Sequence, residues 1–163
     1  MPDGNTPVAV VSKANLKNVL RGATVTAASW GTAPTNLSNA TDGNPNTATG
    51  AGTTTTTGAG LIGYIWVDRG AGNTDPIMID LDLLYSSASG SVKCFIDTST
   101  DGTTPISAGN QTIMEPQIST TPVGAVITPK TIKTRYFRLF FYASAAAKCD
   151  ITINEIKGYK MLG

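Results

Sequence analysis

One short stretch of this sequence concentrates side chains that are able to bind a metal ion. Residues 39–47 read NATDGNPNT, so one carboxylate, three asparagines and two threonines fall within nine positions. Calcium binds about six to eight oxygens, usually from carboxylates, amide or backbone carbonyls and water. The residues around Asp42 supply most of those donor types, whereas a tight Asx-turn would need only part of them.

The stretch imitates the start of an EF-hand loop but departs from that motif. Its sixth position is Thr47 instead of glycine and its twelfth is Thr53 instead of glutamate, so a second carboxylate must come from elsewhere. Glu155 is the candidate, because it shares the alternation phase of Ile151 and Ile153 and an inward carboxylate is costly unless it is paired or metal-bound. The alternative is that the strand bulges or ends there and Glu155 reaches water.

The composition narrows the possible functions. The chain has 163 residues, of which 14% are charged, with 12 basic side chains against 11 acidic ones. That balance argues against nucleic acid or an anionic membrane as the main partner. Histidine is absent, which excludes Ser-His, Cys-His and His-metal catalytic sites. Asp80 and Asp82 fall on a solvent-facing phase, so we predict solvated acids and no enzyme.

No run of residues approaches the roughly 20 apolar positions of a membrane span. The N-terminal MPDGNTPVAVVSK lacks the charged and apolar regions of a secretory signal. We expect a virion-surface or extracellular protein without a classical signal, which works where it was made, leaves by lysis or a special route, or has been trimmed.

The periodicity predicts an all-β protein of one domain. Alternation is clearest in IMIDLDL, residues 77–83, where four aliphatic residues share one face and two aspartates share the other. SKANLKNVLRG, residues 12–22, is the one helical pattern, and AGTTTTTGAG, residues 51–60, is predicted to be a long exposed loop. Further strands are predicted at residues 23–28, 61–68, 91–98, 124–128, 135–142 and 150–159. This pattern is typical of a β-sandwich or jelly roll.

Alternation also assigns side chains to faces. Trp66, which alternates with Tyr64, is interpreted as a core residue. Cys94 and Cys149 are interpreted as reduced core thiols, with a disulfide possible if their strands pair. In residues 135–142, a predicted central strand, Phe137, Leu139 and Phe141 are placed inside. The outer side then carries four large side chains, which form a candidate contact surface: Tyr136, Arg138, Phe140 and Tyr142.

Five patches in the same order resemble the discoidin-like domains, also called coagulation-factor type C or galactose-binding-like domains. NLSNATDGNPNTA is similar to their NA-x-DG-x-P-x-T loop, and YIWVDRG to the strand that follows it. STDG resembles the S-x-DG turn, TRYFRL the ARYVRL strand and INEI the closing L-x-E-I strand. The resemblance runs from about Asn36 to Tyr159. It implies a jelly-roll sandwich of about eight antiparallel strands over residues 23–163, with residues 1–22 as an N-terminal arm or short helix.

The resemblance also implies a structural Ca²⁺ near the first loop. Carried over by position, its ligands would be the carbonyls of Asn39 and Asn44, the carboxylates of Asp42 and Glu155, and Thr47. A tight Asx-turn without metal is the other interpretation of the same residues, and both stay open at this point.

Two functions fit a non-catalytic binding domain. The main prediction is an attachment or decoration subunit of a phage or virus particle, binding a glycan or protein surface, with capsid or tail proteins and a homo-oligomer as possible partners. The alternative is a carbohydrate-binding module of a bacterial secreted or cell-surface system. Sugar sites combine a stacking aromatic with polar groups on loops, which selects Trp30, Arg69 and Tyr85; Trp30 has the alternative role of capping the sandwich edge.

Overall fold

The computed structural model describes residues 16–160, with the backbone alone at residues 107–111 and 115–116. Two antiparallel sheets form a sandwich, so the predicted fold class is confirmed. The strands are β1 (Thr24–Ala28), β2 (Gly52–Thr56), β3 (Gly60–Asp68), β4 (Ile77–Ser87), β5 (Val92–Ser99), β6 (Ile106–Gln117), β7 (Val123–Gly124), β8 (Lys130–Ile132), β9 (Tyr136–Ala143) and β10 (Ala147–Lys160). The five-stranded sheet has the order β1-β3-β9-β5-β6, and the second sheet has the order β2-β10-β4-β7, with β8 also pairing β4.

The core lies between the inward faces of the two sheets, as the alternation predicts. On β4 the four aliphatic residues of the 77–83 stretch are buried while Asp82 is exposed. On β9, which lies between β3 and β5, Phe137, Leu139 and Phe141 are fully buried. Cys94 and Cys149 are buried free thiols on strands of different sheets, which agrees with the prediction of reduced core cysteines.

The predicted N-terminal helix is wrong over its described part, residues 16–22, and residues 12–15 lie outside the described range. The segment forms turns and pairs with β10 instead, since the Val19 N–H donates to the Gly158 carbonyl at 2.8 Å. The Asn18 Oδ1 accepts hydrogen bonds from the N–H groups of Leu20 and Gly158, both at 3.0 Å. An Asn side chain that bonds nearby backbone N–H groups competes with helix formation. Leu20 is thereby fixed in the core, fully buried.

The Thr-rich tract predicted as an exposed loop contains β2, which pairs with the first half of β10. Threonine has a high strand propensity, and here the hydroxyls replace apolar contacts. The Thr54 Oγ1 donates to the Ile62 carbonyl at 2.6 Å, and the Thr53 Oγ1 donates to the Asp150 Oδ1 at 2.5 Å. Of the predicted strand at residues 124–128, only Gly124 belongs to a strand, the two-residue β7, and Ile127 forms an isolated bridge with Met114. Strands β6 and β8 were not predicted. None of the helices in the described range is both long and apolar enough to span a membrane.

Candidate functional site

The loop at Asp42 is a folded cluster of oxygen atoms that follows the 3-10 helix Leu37–Thr41. The Asn44 N–H donates to the Asp42 Oδ1 at 2.7 Å and the Asn46 N–H to the Asn44 Oδ1 at 3.1 Å, which are two successive Asx-turns. The Thr47 hydroxyl lies 2.6 Å from the Asp42 Oδ2 and 2.9 Å from the Asn44 carbonyl oxygen. Hydrogen bonds from Thr47 and from the Asn44 N–H lower the pKa of Asp42. The predicted Asx-turn is therefore present, and it leaves the question of a cation open.

Glu155 reaches this loop because β10 carries a bulge. The pairing of β10 with β4 shifts register between Ile153 and Glu155, so Asn154 is the extra residue. The loop packs against β10 there, since the Thr49 N–H donates to the Ile153 carbonyl at 2.9 Å and the Ile153 N–H to the Thr49 Oγ1 at 3.0 Å. The sequence alternative that Glu155 reaches water at a bulge is half right. The bulge exists, but Glu155 has 0% exposure.

The buried carboxylate of Glu155 is poorly hydrogen-bonded. Neither of its oxygens has a hydrogen-bond partner of normal geometry among the described residues. Burial raises the pKa of Glu155; the nearby Gly43 N–H lowers it, and the charge of Asp42 raises it again. The charges of Asp42, Lys157 and Arg21 all act on Glu155. The Arg21 Nε also donates to the Asp42 carbonyl oxygen at 3.0 Å, so one cationic side chain already lies at this loop. An unpaired buried carboxylate is among the costliest groups that a fold can contain.

These residues fit a cation. The Thr47 hydroxyl lies within 2.9 Å of both the Asp42 carboxylate and the Asn44 carbonyl, so the loop gathers oxygen donors of the kinds that a hard cation binds. A cation here would also neutralise the buried carboxylate of Glu155, whose oxygens lack a hydrogen-bond partner of normal geometry among the described residues. The Asn39 Nδ2 donates to the Ala48 carbonyl at 2.8 Å, which ties the start of the loop to its end. No group of three or more His, Cys, Asp or Glu side chains suits a metal within residues 16–160, so hydroxyl and backbone oxygens would complete any such site.

Trp30, the first of the three predicted ligand residues, lies against the edge of the sandwich. Its Nε1 donates to the Tyr64 carbonyl at 2.9 Å, and its ring centroid is 5.9 Å from that of Phe141. A Cβ at Gly63 would come within 2.3 Å of the indole and one at Gly52 within 2.7 Å, so both glycines are needed to seat the ring. The position matches the edge-capping role.

Arg69 and Tyr85, unlike the partly buried Trp30, are buried, at 8% and 3% exposure. The Arg69 guanidinium donates to the Thr134 carbonyl at 2.8 Å and to the Asp75 carbonyl at 2.6 Å, and so fixes the turn after β3. Tyr85 lies on β4 of the other sheet, where burial raises its pKa. Among the described residues no hydrogen bond or ring contact joins any two of Trp30, Arg69 and Tyr85. Their role in ligand binding stays a prediction.

The outer side of the five-stranded sheet carries a cluster of partly exposed aromatic residues that the sequence only partly identified. The interpretation of Trp66 as a core residue is wrong, because Ile65 and Val67 fill the core while Trp66 and Tyr64 point outward. The signal was available in Asp68, which shares the phase of Trp66 and would be costly to bury. We call the outward cluster the aromatic face; its members are Tyr64, Trp66, Phe95, Phe140 and Tyr142.

The aromatic face is ordered in rows across the strands. Tyr64, Phe140 and Phe95 are direct cross-strand neighbours on β3, β9 and β5. The ring centroid of Phe140 lies 5.4 Å from that of Tyr64 and 5.6 Å from that of Phe95, with the rings tilted by 46° and 42°. Tyr142 meets Phe140 edge-on at 6.2 Å. Such contacts fix the rings against one another and leave their edges and outer surfaces to solvent.

One charged pair lies within the aromatic face. In the row next to Phe140, Arg138 on β9 stands between Trp66 on β3 and Asp97 on β5. Its Nε donates to the Asp97 Oδ2 at 3.0 Å, and its Nη2 donates to the same oxygen. Its guanidinium carbon lies 4.1 Å from the Tyr64 ring centroid, 5.3 Å from that of Trp66 and 5.7 Å from that of Phe140. The cation is therefore held by one buried carboxylate and three rings.

Comparison with known proteins gives structural likenesses alone. No family model and no curated protein matches the chain. Among solved structures, chitosan-binding module 1 of a chitosanase/glucanase from Paenibacillus sp. IK-5 is 19% identical, over 88% of this chain and 98% of that one, with a TM-score of 0.47. CpGH89CBM32-6 from Clostridium perfringens is 20% identical, over 89% and 100% of the two chains, also at 0.47. The lectin domain of lectinolysin, complexed with Lewis B antigen, is 15% identical over 90% and 98%, at 0.47. The matched structures are galactose-binding-like sandwich modules, and at these TM-scores they identify no ligand for this chain.

Proposed function

We propose that this protein is a non-catalytic glycan-binding module and that the aromatic face of the five-stranded sheet is its binding surface. The observation that carries the proposal is the partly exposed row of Tyr64, Phe140 and Phe95 beside Arg138. Sugar rings combine apolar C–H surfaces with hydroxyl groups, and an aromatic cluster with a central hydrogen-bond donor complements both.

The charge of this surface also favours a sugar. Arg138 is paired with Asp97, and Arg135 at the end of the same strand is paired with Asp68 at 2.7 Å. Lys93, the cross-strand neighbour of Tyr142, adds one further cation to this side of the sheet. A single lysine beside two paired arginines does not supply the basic patch that nucleic acid or an anionic membrane needs.

The setting of the module is a separate proposal. We favour the alternative from the sequence analysis, a carbohydrate-binding module of a bacterial secreted or cell-surface system. A glycan alone accounts for the aromatic face, with no capsid or tail protein required. Attachment to a phage or virus particle, with capsid or tail proteins as partners, stays a prediction that no feature of the described residues supports.

Removing one ring of the aromatic face should weaken glycan binding without unfolding the domain. For Tyr142→Ala and Phe140→Ala we expect about a tenfold or greater loss of affinity, the size of effect seen when a central aromatic is truncated in an interface. The measurement is binding to a glycan microarray, followed by titration calorimetry with the oligosaccharide that gives the highest wild-type signal.

Tyr136→Ala is the matched control for those two variants. Tyr136 lies on the outer side of the same strand, but it packs beneath the turn at Gly102, where a Cβ would come within 3.0 Å of its ring. We expect that variant to bind as the wild type does. Folded Tyr142→Ala and Phe140→Ala proteins with unchanged binding would contradict the placement of the site.

We further propose a structural Ca²⁺ held by the Asp42 loop and Glu155. Its ligands would be the carbonyls of Asn39 and Asn44, the carboxylates of Asp42 and Glu155, and Thr47. When bound, the ion would supply positive charge between the two carboxylates and would take part in no reaction. The unpaired, fully buried oxygens of Glu155 support this proposal.

A further inference from the structure

We infer that Arg138 is the specificity-determining residue of the aromatic face, and that Asp97 positions it and cancels its charge, so that the face selects neutral sugars with adjacent free hydroxyl groups. The inference rests on the proposed glycan binding and names the chemical class of ligand for the same surface.

The first step is the hydrogen-bond inventory of the guanidinium group. Arg138 donates one hydrogen bond from Nε and one from Nη2 to Asp97, and its Nη1 has no acceptor among the described residues. Nη1 is also not among the buried polar atoms that lack a partner, so it retains contact with solvent. A planar fork with free donors suits two neighbouring oxygens, and in a neutral sugar those are vicinal hydroxyls.

The second step is how firmly the guanidinium is held. The Asp97 side chain is only 1% exposed and that of Arg138 13%, so the pair is largely removed from water. The rings of Tyr64, Trp66 and Phe140 surround the same cation. The donors of Arg138 are thus fixed before any ligand arrives, which reduces the entropy cost of binding.

The third step is the charge. A free arginine fork would prefer a carboxylate, a sulfate or a phosphate over a hydroxyl pair. Here the carboxylate of Asp97 already satisfies that preference, and a second anion would be repelled by Asp97. The buried pair therefore turns an anion-binding group into a donor for neutral hydroxyls. Asp97→Asn keeps the shape and one acceptor oxygen but removes the charge that imposes this selection.

The experiment compares the wild type with Arg138→Met, Arg138→Lys and Asp97→Asn on a microarray that contains neutral and acidic glycans, including chitotriose and Lewis b. Affinities for the best neutral oligosaccharide are then measured by titration calorimetry. We expect both Arg138 variants to lose about tenfold or more in affinity for neutral glycans. Asp97→Asn should gain severalfold in binding to glycans that carry a carboxylate or sulfate, relative to neutral ones. If Arg138→Met is unfolded at the assay temperature, the affinity of Arg138→Lys is the test of the role of Arg138.

Arg135→Met is the matched control, because Arg135 lies on the same strand, pairs with a carboxylate through Asp68 and stacks on Tyr136 at 4.6 Å, outside the aromatic face. It should bind as the wild type. If the wild type binds no glycan on the array, the proposed function itself is overturned. If the wild type binds and Tyr142→Ala weakens it while both Arg138 variants bind normally, this inference alone is overturned. An unchanged preference in folded Asp97→Asn would overturn the role assigned to its charge.

Discussion

The Leu81→Asp variant is expected to be unfolded at temperatures where the wild type is folded. Leu81 lies on β4 with its side chain in the core, 4% exposed. The change removes about 1.5–3 kcal/mol of apolar burial. It also places a carboxylate where no partner is available, which adds several kcal/mol. Because a domain of this kind has only about 5–15 kcal/mol of stability, the sum is enough to abolish folding.

Asp82→Lys is the control one residue away. Asp82 is exposed, and its described contact is a hydrogen bond from the Asn154 Nδ2 at 3.1 Å. Losing that contact should change the free energy of unfolding by no more than about 0.5–1 kcal/mol. Urea titrations followed by far-UV circular dichroism measure both variants. Equal tolerance of the two substitutions would mean that the face assignment of β4 is wrong.

The contrast between these neighbours shows why β4 and β9 were predictable from sequence. Each strand has one side in the core and one side outside, so the types of its side chains alternate with the two-residue period of a strand. In β9 the inward face could be assigned although the outward residues are also large, because Phe137, Leu139 and Phe141 are completely apolar. The contact surface was predicted from Tyr136, Arg138, Phe140 and Tyr142, and these four side chains lie on the outer side of the sheet. Tyr136 departs from the other three because its ring packs against the turn at Gly102.

Other elements could not be predicted because their determinants are distant in sequence. The segment at residues 16–22 has a helical pattern, but Asn18 and Val19 bond to Gly158, about 140 residues away. The Thr-rich β2 lacks apolar alternation, and its pairing with β10 replaces that signal. The bulge at Asn154 also depends on residues distant in sequence. Alternation predicts that Glu155 points inward, and Glu155 is indeed buried, but it is buried beneath the Asp42 loop and not between the two sheets. Local patterns carry no information on which loop covers a strand edge.

Chelation is expected to lower the melting temperature of the wild type, and added Ca²⁺ to raise it. A ligand that binds only the folded state stabilises it by RT ln(1 + [L]/Kd), about 4 kcal/mol when calcium exceeds its Kd a thousandfold. For a chain of this size that corresponds to roughly 8–16 °C, at about 2–4 °C per kcal/mol. The reason lies in the carboxylates of Asp42 and Glu155, of which Glu155 is fully buried and has no hydrogen-bond partner of normal geometry among the described residues. Differential scanning fluorimetry with EDTA and with excess CaCl₂ measures the effect.

Two substitutions separate a cation from an Asx-turn at this loop. Asp42→Ala should abolish the response to calcium, and Glu155→Gln should weaken it, because each removes one of the two charges. Asp101→Ala is the matched control: Asp101 also precedes a glycine in a turn, where it accepts hydrogen bonds from the Thr103 and Thr104 N–H groups at 2.8 and 2.7 Å. Hydrogen bonds lower the pKa of Asp101, with no contribution from the charge of a second carboxylate. Its loss should therefore destabilise the turn and leave the calcium response intact. If the loop is an Asx-turn alone, the wild-type melting curve will not change with EDTA or calcium, and the buried charge of Glu155 must then be neutralised by a proton.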